Sequence, residues 1–257
     1  MTKSFWASFH EVVEEADLVI EVLDARFPEL TRNTSIENLV KANNKVLVFV
    51  INKSDLTNLE IVKTAKRELD TLGSVVFLSA QKRKGIARLH KVLRSFGEQA
   101  KKEIRVAVVG YPNVGKSSLI NALTVRASAR VSPKSGYTRG KQLIRLNDHV
   151  LLIDSPGIIP FYEKDEFLLA LIGAKSAENI SDAEGIALKL VQFILARNPK
   201  AIGKGFGVTL TKTEPIDCLE ELARAKKKLI KHNEPDLDAI GKQLITKWQN
   251  GEIRLNS

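Results

Sequence analysis

The sequence predicts an α/β protein whose larger, first part forms a mostly parallel, doubly wound sheet, followed by a smaller helical part. Two observations lead to this prediction. Short runs rich in Val, Ile and Leu alternate with helical stretches up to about residue 175, which is the element order that builds parallel sheets. Beyond that point helical patterns dominate. We therefore predict two domains, at 1–175 and 176–257.

The elements of the first part can be placed in order. Buried strands are predicted at 17–23, 46–51, 75–80 and 104–110, with helices at 34–42, 59–72 and 85–96 and a further helix from about 116. The stretches KQLIRL and HVLLID then predict two antiparallel strands joined by a tight turn at Asn147 and Asp148. The sheet should thus have six strands, with one antiparallel edge.

Helices in the second part are predicted at 183–196, 219–231 and 237–249, and Trp248 is expected in their core. Between the first two, NPKAIGKGFGVTLTKTEP carries the Gly and Pro residues that favour a loop. On a helical wheel four cations share one side of the middle helix: Arg224, Lys227, Lys228 and Lys231. This stripe either binds phosphate groups or is the solvated face of a packed helix.

Composition narrows the class of protein. The net charge is +10, and the segment from Lys101 to Arg145 holds ten Lys or Arg residues against one acid. That segment predicts either a polyanionic partner or a solvated basic surface. There is no apolar run long enough to span a membrane, and acids interrupt the N-terminal stretch where a signal peptide would be apolar, so we expect a cytoplasmic location and no membrane partner. A single cysteine, Cys218, excludes an internal disulfide, and we expect a buried thiol with no disulfide-linked partner.

A phosphate-binding loop is predicted at GYPNVGKSS, which follows an apolar strand and opens a helix. Its backbone N–H groups would cradle phosphates, Lys116 would reach the β and γ phosphates, and Ser117 would bind Mg²⁺. The predicted contacts are Asn113, Val114, Gly115, Lys116, Ser117 and Ser118.

A base-binding loop is predicted at the end of the second strand, where Asn52, Lys53 and Asp55 form N-K-S-D. This resembles the N-K-x-D signature of guanine-nucleotide-binding proteins, in which the aspartate accepts hydrogen bonds from guanine N1 and N2. Asn52 would brace the loop and the Lys53 stem would lie against the base. Ser79 and Ala80 resemble a further guanine motif, in which the Ala80 N–H would meet guanine O6.

Two switch elements are predicted after the phosphate loop. Asp154-Ser155-Pro156-Gly157 resembles D-x-P-G, in which Asp154 would hold Mg²⁺ through water and the Gly157 N–H would sense the γ-phosphate. Thr138 stands where a switch I threonine would complete the Mg²⁺ shell with GTP bound. Ser132, Ser135 and Thr124 lie nearby in the sequence, and a solvated loop is the alternative interpretation.

The order of these motifs is base loops first, then phosphate loop, then switches, and it resembles the circularly permuted P-loop GTPases of the YlqF and YawG kind. The resemblance covers residues 10–175 and includes Asp24-Ala25-Arg26-Phe27-Pro28, similar to the D-A-R-x-P sequence of that group. It implies GTP and GDP as ligands, Mg²⁺ as cofactor, and a role in large-subunit ribosome assembly through rRNA rather than DNA. For Asp24 and Arg26 a strand-end salt bridge or turn remains the alternative to a functional role.

The resemblance also implies slow intrinsic GTP hydrolysis. Many Ras-like proteins orient the attacking water with a glutamine directly after D-x-x-G, and here that position is Ile158. Help would come from the ribosome, or from K⁺ recruited by Asn113, although Asn113 could equally be a loop residue that holds the backbone. The predicted catalytic residues are Lys116, Thr138, Gly157 and Asn113. The alternative function is a regulatory G protein whose C-terminal helices bind a protein effector.

Overall fold

The computed structural model describes residues 2–127, 142–154 and 165–255 of the chain. The chain divides into two compact units, residues 1–161 and 162–257. Within the described residues, no helix combines the length and the apolar composition that crossing a membrane requires.

The first unit contains a six-stranded sheet, as the sequence predicts, and its strand order is β3-β2-β1-β4-β6-β5. All neighbouring strands are parallel except β5 and β6, which pair antiparallel. The strands are β1 (Leu18–Asp24), β2 (Val46–Asn52), β3 (Ser74–Phe77), β4 (Ile104–Val109), β5 (Gln142–Asn147) and β6 (Val150–Asp154), and the helices are α1 (Thr2–Glu15), α2 (Thr34–Ala42), α3 (Leu59–Leu69), α4 (Ile86–Ala100) and α5 (Lys116–Ala127).

Helices cover both faces of this sheet, which makes three layers. Alternate residues of β1 face opposite layers: Val22 packs in the core that α4 and α5 cover, whereas Val19 packs beneath α1 and α2 and Leu23 beneath α3. Because both faces are buried, the central strands consist almost wholly of apolar residues. The exceptions in β1 are Glu21 and Asp24, both with 0% relative exposure.

The strand order reverses beside β1, which lies between β2 and β4. The loops that follow β1, β2, β3 and β4 leave the same, carboxyl edge of the sheet, since these strands are parallel. Ligands of open α/β sheets bind at this edge where the strand order reverses. The predicted base loops follow β2 and β3, and the predicted phosphate loop follows β4 on the other side of β1.

The second unit is helical, as predicted. Its helices are α6 (Glu166–Leu171), α7 (Ala183–Leu195), α8 (Ala201–Phe206), α9 (Pro215–Ala225) and α10 (Leu237–Gln249). Helix α7 packs against α10, α9, α8 and α6, and Trp248 is fully buried among them, with its ring edge on Phe193 at a centroid distance of 6.0 Å. Cys218 is buried, and burial raises the pKa of its thiol to about 11, as expected of an inert cysteine.

Helix α6 belongs to this second unit, since Trp248 Nε1 donates to Leu171 O at 2.8 Å and Gln249 Nε2 donates to Ala170 O at 3.0 Å. The second compact unit accordingly includes residues that the sequence analysis assigned to the first domain. The domain boundary near Lys175 stays a prediction.

Two predictions for the second unit are wrong: the end of its middle helix and the loop that precedes that helix. Helix α9 ends at Ala225 instead of continuing to 231, because Lys227 adopts a left-handed conformation (φ 55°) and Lys228 N–H caps the helix by donating to Ala223 O. The four cations therefore do not form a stripe on one helix. The predicted loop after residue 197 contains a helix, α8. Its Gly203 and Gly205 allow neighbouring atoms to approach the helix backbone closely. An added Cβ at Gly203 would lie 2.7 Å from Val208 O, and one at Gly205 would lie 2.6 Å from Ile253 Cγ1.

Candidate functional site

The predicted phosphate loop connects β4 to α5 through three residues with positive φ: Gly110 (149°), Asn113 (59°) and Gly115 (100°). Gly115 has no room for a side chain, because an added Cβ would lie 2.3 Å from Asn52 Nδ2. Val114 is fully buried, whereas Asn113, Ser117 and Ser118 are exposed. The loop is therefore fixed by its own backbone and presents polar side chains outward.

Lys116 folds back over this loop. Its Nζ donates to Gly110 O at 2.8 Å and to Tyr111 O at 2.7 Å. Burial removes water from the ammonium group and lowers the pKa of Lys116 to about 8. A nearby anion would raise that pKa again, so this ammonium group is suited to bind phosphate.

Asn52 connects the predicted base loop to the predicted phosphate loop. Its Nδ2 donates to Val114 O at 2.9 Å, and its Oδ1 accepts from the Ala80 N–H at 3.0 Å. The side chain is 2% exposed. The structure thus brings together three predicted segments, which follow β2, β3 and β4.

Asp55 lies in a short 3₁₀ turn (Ser54–Leu56) directly after β2. Its Oδ2 is buried and accepts no hydrogen bond within the described residues. A buried carboxylate oxygen without a partner is costly unless a ligand supplies the donor. The N1–H and N2 amino groups of guanine are donors of the required kind, so the site fits the predicted base.

Ser79 and Ala80 are buried at the end of β3, in a tight turn. Ser79 Oγ accepts from Lys82 N–H at 3.1 Å. The Ala80 N–H already donates to Asn52, as stated above, so a guanine O6 would have to share this donor or take it over. The assignment of Ala80 to guanine O6 stays a prediction.

Asp24, Arg26 and Lys53 form a buried ion cluster that the sequence did not predict as such. Asp24 Oδ2 accepts from Arg26 Nη2 and from Lys53 Nζ, both at 2.8 Å, and Oδ1 accepts from Arg26 Nε at 3.0 Å. Burial alone would raise the pKa of Asp24, but the two cations outweigh it and lower the pKa to about 2. Asp24 and Arg26 therefore form the strand-end salt bridge that was one of the two interpretations of their sequence, and Lys53 is a third member of it.

Glu21 is a second buried acid, in the middle of β1. Its Oε1 accepts from Asn33 N–H at 2.7 Å, and Asn33 Nδ2 donates to Tyr111 Oη at 3.3 Å. Glu21 Oε2 has no hydrogen-bond partner within the described residues, and burial raises the pKa of this carboxyl to about 8. The sequence signal for it was an acid in the middle of an otherwise apolar strand, LVIEVLD.

Ser117 and Asp154 are the two predicted magnesium ligands whose backbone the structure describes, and their role stays a prediction. Ser117 lies in the first turn of α5, directly after the phosphate loop that follows β4. Asp154 ends β6, which is the strand beside β4. Mg²⁺ in phosphate sites is held by few protein oxygens, with the rest of its shell from water and phosphate. The described part of the chain contains no cluster of three or more His, Cys, Asp or Glu residues that could hold a metal ion. Thr138, Gly157 and Ile158 lie outside the described residues.

A basic surface that the sequence analysis overlooked follows the Ser79-Ala80 turn. We call it the basic ridge: Lys82, Arg83, Lys84, Arg88 and Lys91. All five side chains are exposed, and none makes an ion pair with a described residue. A tight turn holds its first three members, since Ser79 and Lys84 exchange backbone hydrogen bonds of 3.0 and 3.1 Å.

Comparison with known proteins agrees with this arrangement. The family profile described as RsgA GTPase matches residues 4–162, and the profile described as 50S ribosome-binding GTPase matches residues 105–231.

Curated relatives match nearly the whole chain. An uncharacterized GTP-binding protein of Methanocaldococcus jannaschii is 35% identical over 245 residues, which is 95% of this chain and 64% of that protein. Nuclear/nucleolar GTPase 2 of Oryza sativa is 34% identical over 98% of this chain and 48% of its own length. Nucleolar GTP-binding protein 2 of Saccharomyces cerevisiae is 33% identical over 98% of this chain and 52% of its own length. The chain thus spans about half to two thirds of these relatives.

Solved structures share the fold. A GDP-bound structure of YlqF superposes with a TM-score of 0.67 at 23% identity, covering 96% of this chain and 95% of that one. A GNP-bound YlqF from T. maritima gives 0.62 at 22% identity, covering 98% and 96%.

Proposed function

This chain belongs to the RsgA GTPase family, with its motifs in circularly permuted order, and on that premise we propose that it is a GTP-hydrolysing switch in ribosome biogenesis. The observation that carries the proposal is the connection of the predicted base loop to the phosphate loop by Asn52, beside a buried carboxylate oxygen of Asp55 that lacks a donor. Such a site selects a nucleotide by its base and its phosphates together.

The ligands that we propose are GTP and GDP. Asp55 accepts from the guanine N1 and N2 groups, Lys116 binds the β and γ phosphates, and Ser117 with Asp154 holds Mg²⁺, which neutralises charge on the phosphate oxygens. Ser118 and the backbone of Val114 and Gly115 complete the cradle. Because Lys116 is already partly desolvated, phosphate binding costs it little additional hydration.

Hydrolysis by the isolated chain should be slow. The residue after D-S-P-G is Ile158, which cannot orient a water molecule. Thr138 and Gly157 are the proposed sensors of the γ-phosphate. Asn113, exposed at the outer side of the loop with φ 59°, either recruits K⁺ as the resemblance implies or holds the loop backbone.

The proposed partner is the large ribosomal subunit, through rRNA. The family description "50S ribosome-binding GTPase" and the nucleolar relatives support this, and so does the basic ridge. Cations without ion-pair partners are available for phosphate contacts, and such contacts dominate the affinity of proteins for nucleic acids. We propose a cytoplasmic location and no membrane partner.

The second candidate is a regulatory G protein that binds a protein effector through its C-terminal helices. One observation favours it. Leu229 and Ile230, in the segment after α9, are 37% and 53% exposed. Exposed aliphatic side chains next to each other are suited to a protein contact.

The test is the initial rate of GTP hydrolysis in K⁺ buffer, with and without purified large ribosomal subunits, using Lys116→Ala as the inactive control. The proposal predicts a slow intrinsic rate and a large stimulation by subunits. Absence of both stimulation and subunit binding would favour the effector-binding candidate. Replacing K⁺ by Na⁺ in the same assay tests the role of Asn113. An unchanged rate would show that K⁺ recruited by Asn113 does not contribute to hydrolysis.

A further inference from the structure

The buried ion cluster of Asp24, Arg26 and Lys53 lies at the centre of the candidate site. Asp24 ends β1, which lies between the strands that carry the base loop and the phosphate loop. Its Cα partner in the neighbouring strand is Asn52, and the Ala25 N–H donates to Asn52 O at 2.8 Å. The side chains of Asp24, Arg26 and Lys53 are 0%, 4% and 18% exposed.

Arg26 fixes the orientation of the Asp24 carboxylate, to which Lys53 also donates. The Arg26 guanidinium donates through Nε to Oδ1 and through Nη2 to Oδ2, and the Arg26 backbone N–H donates to Oδ1 at 3.0 Å. A forked pair of this kind sets the orientation of a carboxylate as well as its charge. Thr31 adds to this, since its Oγ1 accepts from the Asp24 N–H at 3.0 Å. Asp24 is therefore a rigid anchor for a second cation.

Lys53, the second cation, occupies a strained position in the base loop. Its φ of 62° is left-handed, which is uncommon for a residue with a long side chain. This one residue turns the chain from β2 into the 3₁₀ turn that contains Asp55. The loop beyond it is held by the Ser54 N–H, which donates to Leu78 O at 3.1 Å. The direction of the Asp55 side chain thus depends on the conformation of Lys53.

We propose that Asp24 and Arg26 are positioning residues for base recognition: by anchoring the Lys53 ammonium group, they fix the left-handed turn that directs the Asp55 carboxylate at the guanine N1 and N2 groups. This inference rests on the proposed function, because it assumes that the N-K-S-D loop binds guanine. It gives the D-A-R-F-P segment a role in specificity, although none of its side chains need touch the nucleotide.

Electrostatics agrees with this role. Two cations face one carboxylate in the cluster, and Asp55, two residues from Lys53, is a further negative group near it. Burial lowers the pKa of Lys53, and Asp24 opposes that effect. The attraction between Asp24 and Lys53 therefore holds the ammonium group in the cluster, although burial disfavours its charge.

The experiment compares the affinities for GTP and for inosine triphosphate, which lacks the N2 amino group, in the wild-type chain and in Asp24→Asn, Lys53→Met and the double variant. Inorganic triphosphate, which needs only the phosphate loop, reports whether a variant is folded and competent. The matched control is Asp70→Asn, which removes an aspartate from an exposed ion pair with Lys66 on the same unit.

We expect Asp24→Asn to lower the ratio of GTP to inosine triphosphate affinity at least tenfold, while triphosphate affinity and the Asp70→Asn control stay at wild-type level. The double variant should be no worse than the poorer single variant, since both changes break one pair. A wild-type ratio in Asp24→Asn, or additive effects in the double variant, would overturn the inference.

Lys53→Met keeps the test decisive if Asp24→Asn fails to fold. It leaves Asp24 and Arg26 as a neutral pair, whereas Asp24→Asn leaves two buried cations. An unchanged ratio in Lys53→Met would then contradict the inference. A wild-type chain that does not prefer GTP over inosine triphosphate and ATP would instead remove the proposed function, and this inference with it.

Discussion

Asn52 and Val114 are hydrogen-bonded across the candidate site, although they lie 62 positions apart in the chain. The Asn52 Nδ2 donates to Val114 O at 2.9 Å. The bond joins the loop after β2 to the loop after β4, so base recognition and phosphate recognition share one rigid contact. An added Cβ at Gly115 would collide with the same amide, which shows how closely the two loops approach.

Asn52→Ala should weaken GTP binding at least tenfold and lower the free energy of unfolding by roughly 2 kcal/mol. The reason is that Val114 O and the Ala80 N–H both lose their buried partner. Nucleotide titration and urea unfolding measure the two effects. Asn58→Ala is the control, because Asn58 caps α3 through Glu60 N–H at an exposed position. Equal GTP affinities in the two variants would show that the Asn52 bridge does not matter for binding.

Glu21→Gln should stabilise the protein at high pH and not at low pH. The folded pKa of about 8 lies above the ordinary value of 4.5, so folding favours the protonated acid. The wild type should therefore lose stability between about pH 4.5 and pH 8, by an amount on the order of 4 kcal/mol. The charged groups near this carboxyl are Arg32, which favours its ionised form, and Glu37, which opposes it.

Unfolding free energies at pH 5 and pH 8.5 measure this effect. Wild type and Glu21→Gln should be similar at pH 5, and the variant should be the more stable at pH 8.5. Glu60→Gln is the control, since the pKa of exposed Glu60 is lowered by Lys63 and its titration is complete below this range. A difference between wild type and Glu21→Gln that does not change with pH would contradict the buried, protonated acid.

The basic ridge predicts a salt-dependent contact with RNA. Replacing Lys82, Arg83 and Lys84 by Ala should weaken binding of a structured rRNA fragment at least tenfold near physiological salt. It should also reduce the slope of log Kd against log salt by about 2 to 3, if each cation contacts one phosphate. GTP affinity should stay unchanged, since these side chains are exposed and are not among the predicted nucleotide contacts.

The matched control for the ridge removes the same number of positive charges from a helix of the same unit. Lys63, Lys66 and Arg67 lie on α3, where the first two pair with acids. Their replacement by Ala should leave the salt slope near the wild-type value. Identical slopes in both triple variants would show that the ridge is only a solvated surface.

The sheet could be predicted from the sequence because each strand is a short apolar run that ends in a polar loop. The order of the motifs along the chain then predicted which loops lie together at the carboxyl edge of the sheet. The predictions failed where apolar spacing continues past a helix end, as at Leu229 after α9, because a left-handed Lys227 ends that helix without a glycine. They failed also at α8, where Gly203 and Gly205 looked like loop residues but allow close packing.

In the candidate site, residues that belong to one motif were found from sequence, whereas contacts between motifs were not. Asn52 was expected to brace its loop, but its bond to Val114 joins strands that only the folded sheet brings together. The pairing of Lys53 with Asp24 is of the same kind, since the two lie 29 positions apart. Such contacts depend on register, and the sequence pattern does not specify register across the sheet.

The nucleotide preference of Asp55→Asn tests the proposed guanine recognition most directly. The control is Asp70→Asn, which makes the same Asp-to-Asn change at an exposed position of the same unit. The variant amide can donate to the O2 of xanthine but cannot accept from both guanine donors. We predict that Asp55→Asn binds xanthosine triphosphate in preference to GTP, while wild type and the control prefer GTP. Unchanged GTP affinity in Asp55→Asn would contradict the assignment of this loop, and with it the proposed guanine-nucleotide switch.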